Sequence, residues 1–245
     1  MTREERSIKY IKQFEPKEGY YVAFSGGKDS IVIYDLVKRA NVKYDIHHSI
    51  TTIDQPEFTR WFKKTFPEVE RIKPKFSMFQ LVEKEKMLPT RLNRFCCKYL
   101  KETGGIGRVV VLGVRRAESQ NRSDKNLFDW NDTTKKLQFN PIIDWSDKQV
   151  WEYIKRNKLE CSPLYAEQKR IGCVACPFAG GKQMKKDFIK YPHIKKGYIR
   201  AINKGGFEQF ENAEDAINWW TSGLSVGSYL EGKNQLELDV SEKYI

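Results

Sequence analysis

The chain has 245 residues and a formal charge of +12, from 44 Lys and Arg against 32 Asp and Glu. Hydrophobic residues make up 40% and aromatic residues 13%, which is enough for a buried core and excludes an intrinsically disordered chain. No stretch approaches roughly 18 consecutive apolar residues and the amino terminus is charged, so we predict neither a transmembrane helix nor a secretory signal. We expect a cytoplasmic protein without a membrane partner, whose cysteines stay reduced or bind metal.

Strand and helix signals alternate over the first 155 residues or so, and the predicted strands at 20–24 and 109–113 are apolar runs stopped by glycine. This alternation implies right-handed βαβ crossovers and an open parallel sheet, hence an α/β fold. The remaining residues lack strand signals, so we predict an α/β domain at 1–160 and a cysteine-containing helical extension at 161–245 packed on it. The predicted elements are a helix at 4–14, strand at 20–24, helix at 30–41, strand at 44–50, helix at 57–66, strand at 109–113 and helix at 145–155.

A glycine-containing hexapeptide, SGGKDS at 25–30, lies between the first strand and the next helix. Two adjacent glycines allow successive backbone N–H groups to face one side, and the helix amino terminus adds its positive dipole end there. The loop is also compatible with a simple Gly-Gly turn, but that does not explain the whole hexapeptide. It resembles the pyrophosphate loop of the adenine-nucleotide alpha-hydrolase superfamily, which includes ATP pyrophosphatases and the PAPS and APS reductases.

Five cysteines form two pairs and a single residue. Cys96 and Cys97 are adjacent, Cys173 and Cys176 form a CxxC motif followed by Pro177, and Cys161 stands alone. Four thiolates suit either a [4Fe–4S] cluster or one tetrahedral zinc ion. Adjacent cysteines favour the larger cluster, with one structural zinc or buried inert thiols as the alternatives. Cys161 is an alternative ligand or a free thiol that carries sulfur.

A CC pair followed by a distant CxxC motif resembles the cluster signature of assimilatory APS reductases. LGVRRAES at 112–119 and PIIDWSDKQVWEYIKRN at 141–157 resemble further motifs of the same family. HSITTIDQPEF at 48–58, with CSPLY at 161–165, resembles a PAPS-reductase-like subgroup of phages and prokaryotes and the DndC-type DNA sulfur-modification proteins. The resemblance implies a Rossmann-like, open parallel five-stranded sheet with a helical carboxy-terminal extension.

The same resemblance implies an adenine nucleotide, either ATP or APS/PAPS, bound across the carboxyl ends of the strands with Mg²⁺. Lys28, Asp29 and Arg115 are the predicted catalytic residues, and Asp29 is the predicted magnesium ligand. Thr51, Thr52 and Asp54 follow the second predicted strand and are expected to face the ribose side of the cleft, with Asx-turn or N-cap roles as equally simple alternatives. Asp29 could instead cap the helix, and the arginines could form surface ion pairs. The predicted nucleotide-binding residues are Ser25, Gly26, Gly27, Lys28, Asp29, Ser30, Thr52, Asp54, Gly113, Arg115, Arg116 and Ser119.

The leading functional hypothesis is a PAPS-reductase-family enzyme that adenylates a second substrate with ATP and transfers sulfur with help from the cluster. APS and PAPS reductases carry a nucleophilic cysteine near their carboxy terminus, whereas this sequence has no cysteine after Cys176. The alternatives are a sulfonucleotide reductase that uses an external thiol, and a non-catalytic nucleotide-binding or redox-sensing module. A thiol or sulfur donor protein is an expected partner.

Charge is distributed unevenly along the carboxy-terminal third. Residues 182–204 contain eight Lys or Arg and one acid, whereas residues 205–245 contain eight acids and two lysines. A charge run is commonly a solvated helix face. If the acceptor is a nucleic acid, we expect the segment from Lys182 to Lys204 to contact its backbone.

Overall fold

The computed structural model describes residues 1–233, so the last residues of the predicted extension lie outside the described range. The chain forms two compact units. Unit 1 comprises Met1–Pro74 and Tyr99–Ile171, and unit 2 comprises Lys75–Lys98 and Gly172–Ile245. This division differs from the predicted single boundary at residue 160, because residues 75–98 leave the sheet and join the carboxy-terminal helices.

Helices and strands alternate in unit 1. After the last strand, the regular elements of the described residues are all helical. The strands are β1 (Tyr20–Ala23), β2 (Tyr44–Ser49), β3 (Glu70–Ile72), β4 (Val109–Val111), β5 (Phe128–Asn131) and β6 (Lys136–Phe139). The helices are α1 (Arg3–Gln13), α2 (Lys28–Ala40), α3 (Pro56–Thr65), α4 (Met78–Glu85), α5 (Phe95–Leu100), α6 (Asp147–Arg156), α7 (Gly181–Lys190), α8 (Pro192–Gly205) and α9 (Ala213–Ser222). No helix within residues 1–233 has both the length and the apolar character needed to cross a bilayer.

The sheet has the order β3-β2-β1-β4-β6-β5. Five of its strands are parallel, which confirms the predicted open parallel sheet, and β5 adds a sixth strand antiparallel to β6 at the edge. The prediction of five strands omits β5, because its residues, Phe128-Asp-Trp-Asn131, are partly exposed and lack the apolar run of a buried strand. The strand order reverses at β1, which pairs with β2 on one side and β4 on the other.

The core of unit 1 lies on both faces of this sheet. Helix α2 is buried on most of its circumference, with Ile31, Val32, Ile33, Leu36 and Val37 all nearly inaccessible. A helix that is apolar nearly all round must be covered on all sides, and α2 packs on the sheet between α1 and α6. This burial fixes the position of the α2 amino terminus, where the glycine loop begins.

Aromatic contacts build the core of unit 2. Helix α8 approaches α4 closely, because an added Cβ at Gly197 would lie 2.3 Å from the Phe79 ring. The buried Tyr198 ring lies 5.3 Å from Phe79 and 5.0 Å from Trp220 between ring centroids. The Trp220 indole N–H donates to the Pro89 carbonyl at 2.6 Å, which ties α9 to the segment before α5.

Candidate functional site

The glycine loop lies at the point where the strand order reverses. β1 and β4 are neighbouring parallel strands, so the loops that follow their carboxyl ends meet at one edge of the sheet. The loop after β1 is residues 25–30, and the loop after β4 contains Gly113, Arg115 and Arg116. Open α/β sheets bind ligands at such a switch point. The topology therefore brings together the two segments that carry most of the predicted nucleotide-binding residues.

Two glycines shape the loop itself. Gly26 has φ +72°, and an added Cβ there would lie 2.8 Å from the Phe58 and Phe62 rings, so both the conformation and the space require glycine. Gly27 is the N-cap of α2 and has no side-chain cap. The first N–H groups of α2 therefore face the loop with their dipole, which is the geometry of an anion site.

Two serine hydroxyls close the loop. Ser30 Oγ donates to the Gly27 carbonyl at 2.8 Å and lies 3.1 Å from Ser25 Oγ. Ser30 is buried, whereas Ser25 is exposed. Ser30 therefore stabilises the turn, and Ser25 is the hydroxyl of the pair that faces solvent.

Four charged side chains form a network behind the loop, which we call the charge square: Lys28, Asp29, Arg115 and Asp147. Lys28 Nζ lies 3.1 Å from Asp29 Oδ2 and 3.2 Å from Asp147 Oδ1. Arg115 lies 2.6 Å from Asp29 Oδ1 through Nε and 3.1 Å from Asp147 Oδ1 through Nη2. Its Nη1 donates to the Trp145 carbonyl at 3.2 Å. The two cations are thus held between two carboxylates.

Burial separates the roles within the charge square. The Arg115 side chain is 1% exposed and the Lys28 side chain 13%. Arg115 therefore braces the network, and Lys28 is the cation closer to solvent. Both oxygens of Asp29, the predicted magnesium ligand, contact cations, which favours a positioning role over metal coordination. Burial raises the pKa of Asp147, but hydrogen bonding and charge from Lys28 and Arg115 outweigh it and lower the pKa below its ordinary value.

Gly113 sets the distance between β4 and the start of α2. An added Cβ at this position would lie 2.8 Å from the Asp29 carbonyl carbon and 2.9 Å from Asp29 Cβ. Any side chain there would displace the first turn of α2. Gly113 thus contributes to the site by letting the backbone after β4 approach the first turn of α2 closely.

The segment after β2 forms a compact turn. Asp54 accepts hydrogen bonds from the Thr51 N–H at 3.0 Å and from Thr51 Oγ1 at 2.6 Å. Thr52 is exposed between them with φ +65°, a left-handed conformation that is uncommon for a β-branched residue. The Asp54 carboxylate therefore closes the turn, and the exposed Thr52 side chain projects outward from it. Ribose contact by either residue stays a prediction.

Two predicted nucleotide-binding residues lie away from the loop contacts. Arg116 pairs with Asp144 and donates from Nε to the Lys125 carbonyl at 2.8 Å. Ser119 is exposed and caps a short 3-10 turn through its carbonyl, which accepts from the Arg122 N–H at 2.9 Å. Within the described residues, none of these contacts reaches the glycine loop. Phosphate contact by Arg116 and Ser119 therefore stays a prediction.

Tyr165 was not predicted from the sequence as a site residue. Its hydroxyl accepts a hydrogen bond from the Lys28 N–H at 2.7 Å, and its ring packs edge-on against Trp151 at 5.1 Å. Burial raises the pKa of the Tyr165 hydroxyl, so it keeps its proton at neutral pH and can donate to an anion. Asp147 was also missed, although the DWSDKQVW motif that contains it was noted.

Cys161 belongs to unit 1, whereas the other four cysteines belong to unit 2. Burial, with a smaller contribution from Glu160, raises the pKa of the Cys161 thiol to about 11, although the Lys28 charge acts in the opposite direction. The Lys28 charge therefore reaches this thiol. At neutral pH the side chain is a protonated thiol, which is a weak nucleophile.

The other four cysteines all lie in unit 2. Cys96 and Cys97 occupy the first turn of α5, so they are about 100° apart around a helix instead of on opposite faces of a strand. A hydrogen bond between these two thiols, together with burial and the charges of Cys97, Cys173 and Cys176, raises the pKa of Cys96. The charges of the other three thiols therefore reach Cys96, and binding of one metal centre by all four cysteines stays a prediction.

The CxxC motif forms a tight turn. Ala175 has φ +55° and is buried, and its N–H donates to Asp187 Oδ2 at 2.9 Å. Asp187 also accepts from Gln183 Nε2 at 2.8 Å. The single acid of the basic segment is therefore directed at the backbone between Cys173 and Cys176, where it holds the turn.

One buried polar atom faces this cysteine set. The Tyr198 hydroxyl is fully buried and has no hydrogen-bond partner among the described residues. Burial, and then the charges of Cys173, Cys96 and Cys176, raises its pKa. Within residues 1–233, no three His, Cys, Asp or Glu side chains are arranged to hold a single metal ion. Neither the predicted [4Fe–4S] cluster nor the alternative zinc ion has a preformed site among these residues, and both stay predictions.

The six-stranded sheet and the loop at its switch point define an α/β protein of the adenine nucleotide alpha-hydrolase fold. Residues 19–179 match the phosphoadenosine phosphosulfate reductase domain, which is well over half of the chain. The chain belongs to the phosphoadenosine phosphosulfate reductase family.

Individual relatives agree with this assignment. The uncharacterized protein MJ0066 of Methanocaldococcus jannaschii is 31% identical over 215 residues, which cover 78% of this chain and 43% of that protein. An adenosine 5′-phosphosulfate reductase of Lysinibacillus sphaericus is 27% identical over 173 residues, covering 63% of this chain and 71% of that one. The chain thus spans less than half the length of the first relative.

A solved structure shows the same fold. The phosphoadenylyl-sulfate reductase of Candida auris, crystallised as a phosphate complex, superposes with a TM-score of 0.52 and 19% identity. The match covers 71% of this chain and 88% of that one. It supports the fold assignment alone.

Proposed function

We propose that the chain binds ATP with its β- and γ-phosphates at the glycine loop and transfers the adenylyl group to a second substrate. An oxygen of that substrate attacks the α-phosphorus, the bond to the bridging oxygen breaks, and pyrophosphate leaves with the electron pair. The terminal sulfur of a donor-protein persulfide then attacks the activated carbon, the carbon–oxygen bond breaks and AMP leaves with the electron pair. A second thiol of the donor attacks the resulting mixed disulfide, which leaves the sulfur on the acceptor and forms a disulfide in the donor. Membership of the phosphoadenosine phosphosulfate reductase family supports a nucleotide-dependent enzyme in general, and the site geometry supports the nucleotide-binding step.

The charge square is the observation that carries this proposal. Polyphosphate stabilisation depends on donors that are already in position when charge develops on the leaving group. Here the Lys28 ammonium is held by two carboxylates, and Arg115 holds those carboxylates in turn. The Lys28 N–H and the Tyr165 hydroxyl lie at the same helix end. We assign Lys28 to contact with the leaving phosphates, and Asp29 and Arg115 to positioning.

The cysteine set suits a [4Fe–4S] cluster better than zinc. Cys96, Cys97, Cys173 and Cys176 share one unit, and the unpartnered Tyr198 hydroxyl among them is a donor that a thiolate or sulfide would satisfy. A cubane distributes its ligands around a larger centre than one ion does. When bound, the cluster supplies electron-transfer chemistry. The four thiolates would hold it, and Asp187 keeps the CxxC turn in its hydrogen-bonded conformation.

Reduction of APS or PAPS with an external thiol is a second candidate, favoured by the APS reductase among the relatives. A thiol of the partner would attack the sulfate sulfur and the sulfur–oxygen bond to the nucleotide would break. AMP would leave from APS, and adenosine 3′,5′-bisphosphate would leave from PAPS. A second thiol would then release sulfite and form a disulfide. Cys161 is poorly suited to the first attack, because burial raises its pKa to about 11.

Product analysis separates the two candidates. The protein is incubated with ATP, or with APS or PAPS and a dithiol, and pyrophosphate and sulfite are measured. ATP-dependent pyrophosphate release that is lost in Lys28→Met supports adenylation. Sulfite release from APS or PAPS without pyrophosphate release establishes the second candidate instead. Intact nucleotide binding with neither product would identify a non-catalytic module.

The metal content is tested by anaerobic purification followed by iron, sulfide and zinc determination. About four irons and four sulfides per chain are expected, and the Cys176→Ser variant should lose this iron and sulfide. The matched control is Cys161→Ser, which should retain the full iron content. One zinc per chain without iron would contradict the cluster assignment.

A further inference from the structure

We propose that unit 2 carries a binding surface for a single-stranded nucleic acid, formed by the exposed face of α7 and by the Arg94–Phe178 stack beside it. All of its residues belong to unit 2 and none lies in the glycine loop, so this proposal does not rest on the adenylation reaction. We call it the basic face.

The lysines of α7 lie on one side of the helix. Lys182, Lys185, Lys186 and Ile189 follow the spacing of a single helical face and are all exposed. Ile189 is 82% exposed, whereas Met184 and Phe188 on the opposite side are buried. The helix thus uses its apolar stripe for the core of unit 2 and presents lysines around an uncovered isoleucine.

This face carries no compensating negative charge in the described residues. Asp187 is the only acid between residues 182 and 204, and it is engaged by the Ala175 N–H and Gln183. Lys182, Lys185 and Lys186 form no ion pair with any residue in the 1–233 range, whereas Lys195 pairs with Glu214 at 2.7 Å. Three unneutralised ammonium groups on a helix of 10 residues create a local potential that attracts a polyanion.

An aromatic platform adjoins the amino-terminal end of α7. The Arg94 guanidinium lies over the Phe178 ring at 5.4 Å, and Phe178 is 43% exposed. Arg91 donates from Nε to the Pro177 carbonyl at 3.2 Å, so it contributes a further cation beside this ring. Leu92 between them is fully exposed. A partly exposed ring with stacked arginine is suited to an unpaired base, since paired bases have no free face.

The combination favours a single-stranded nucleic acid over an acidic protein. Lysines alone would attract either polyanion. The Phe178 ring and the Arg94 stack add a contact that a nucleobase satisfies and a carboxylate does not. A single strand also offers phosphates that can follow the lysines along about 15 Å of helix.

The test is fluorescence anisotropy of a labelled single strand of about 15 nucleotides, using the full chain over a salt series. In Lys185→Glu/Lys186→Glu we expect affinity to fall at least about tenfold at about 100 mM NaCl, and the salt slope to decrease by about 1.4. The charge-matched control is Lys63→Glu/Lys64→Glu on α3, which are exposed lysines of unit 1 and should change affinity less than about twofold.

A second variant tests base stacking separately from charge. Phe178→Ala should lower single-strand affinity about tenfold without changing the salt slope, and should leave duplex binding unchanged. Absence of binding by the wild-type protein would overturn the proposal. So would equal affinity for polyglutamate that does not depend on Phe178, which would identify an acidic protein as the partner. Both outcomes are independent of nucleotide turnover.

Discussion

The charged side chains of the glycine-loop site differ more in burial than in residue type. Arg115 and Arg116 are adjacent in sequence, yet their surroundings differ. Arg115 is 1% exposed and contacts two carboxylates, whereas Arg116 is 40% exposed and contacts one. A buried guanidinium that loses a partner leaves an uncompensated charge, whereas an exposed one is solvated by water. The two residues should therefore respond differently to the same substitution.

Arg115→Lys tests the bracing role. A lysine ammonium contacts one carboxylate as a point charge and cannot reproduce the fork of the guanidinium. We expect a loss of about 1–3 kcal/mol in the free energy of unfolding and about a tenfold loss of ATP affinity. Arg116→Lys is the matched control and should cost less than about 0.5 kcal/mol. Equal effects in urea titrations of both variants would contradict the assignment.

His48 makes stability depend on pH. Burial lowers its pKa below the ordinary value of 6.5, although its Nδ1 hydrogen bond to the Phe24 carbonyl and the Asp54 charge act the other way. As pH falls below 6.5, the unfolded chain binds this proton before the folded one, so folding becomes less favourable. This destabilising contribution of His48 is absent well above pH 6.5 and increases as the pH falls from 6.5 to the lowered pKa of the folded state.

The measurement is the free energy of unfolding between about pH 7.5 and about pH 5.5. His48 adds a slope of up to about 1.4 kcal/mol per pH unit in that window. His48→Gln should flatten the profile by this amount. An unchanged slope in the variant would show that His48 is not the group that titrates.

Tyr198 should have opposite effects in the empty and loaded protein. Without a cluster its hydroxyl is buried and unpartnered, so Tyr198→Phe should leave stability unchanged or increase it by up to about 1–3 kcal/mol. With the cluster bound, we expect the same variant to shift the midpoint potential to more negative values, because a hydrogen bond to a cluster sulfur is lost. A redox titration followed by visible absorption measures the shift, and an unchanged potential would remove Tyr198 from the cluster environment.

Secondary-structure elements position the site through one close contact between a strand end and a helix. β4 ends at Val111, and an added Cβ at Gly113, two residues later, would meet the first turn of α2 at 2.8 Å. The glycine loop, the α2 dipole and the charge square all depend on this distance. A small change at Gly113 should therefore be transmitted to the whole site.

Gly113→Ala tests that dependence. The extra methyl group must displace α2 from β4, which should cost about 1–3 kcal/mol and weaken nucleotide binding about tenfold. Gly227→Ala is the control, because an added Cβ there meets nothing within 4 Å. Stability is measured by urea unfolding and affinity by calorimetry. Wild-type affinity in Gly113→Ala would show that the site tolerates movement of α2.

The same elements show what could be predicted from the sequence. β1 and β4 are short apolar runs, and β2 lies within the strand predicted at 44–50. Helix α6 begins at Asp147, behind a Ser146–Gln149 capping box and two residues after the predicted start at 145. β3 and β5 were missed, because both are short edge strands, the first mostly exposed and the second partly exposed. In β6 the buried Lys136, whose ammonium donates to the Glu102 carbonyl, obscures the apolar pattern.

At the scale of the whole molecule, long-range contacts determine what sequence reasoning missed. Tyr165 contacts Lys28 across 137 residues, and no local pattern indicates such a pairing. Likewise, residues 75–98 leave the first unit and place Cys96 and Cys97 with Cys173 and Cys176 in the second. The local motifs predicted the glycine loop and the cysteine pairs, but the partners supplied by distant segments required the fold.

The central claim is that the glycine loop binds an adenine nucleotide through its phosphates. It is tested most directly by calorimetric titration of a non-hydrolysable ATP analogue into the wild-type protein and into Lys28→Met, with Lys38→Met on the same helix as control. We expect one nucleotide per chain, at least about tenfold weaker binding in Lys28→Met, and wild-type affinity in Lys38→Met. Equal affinity in all three proteins, or no binding of the analogue, would contradict the account.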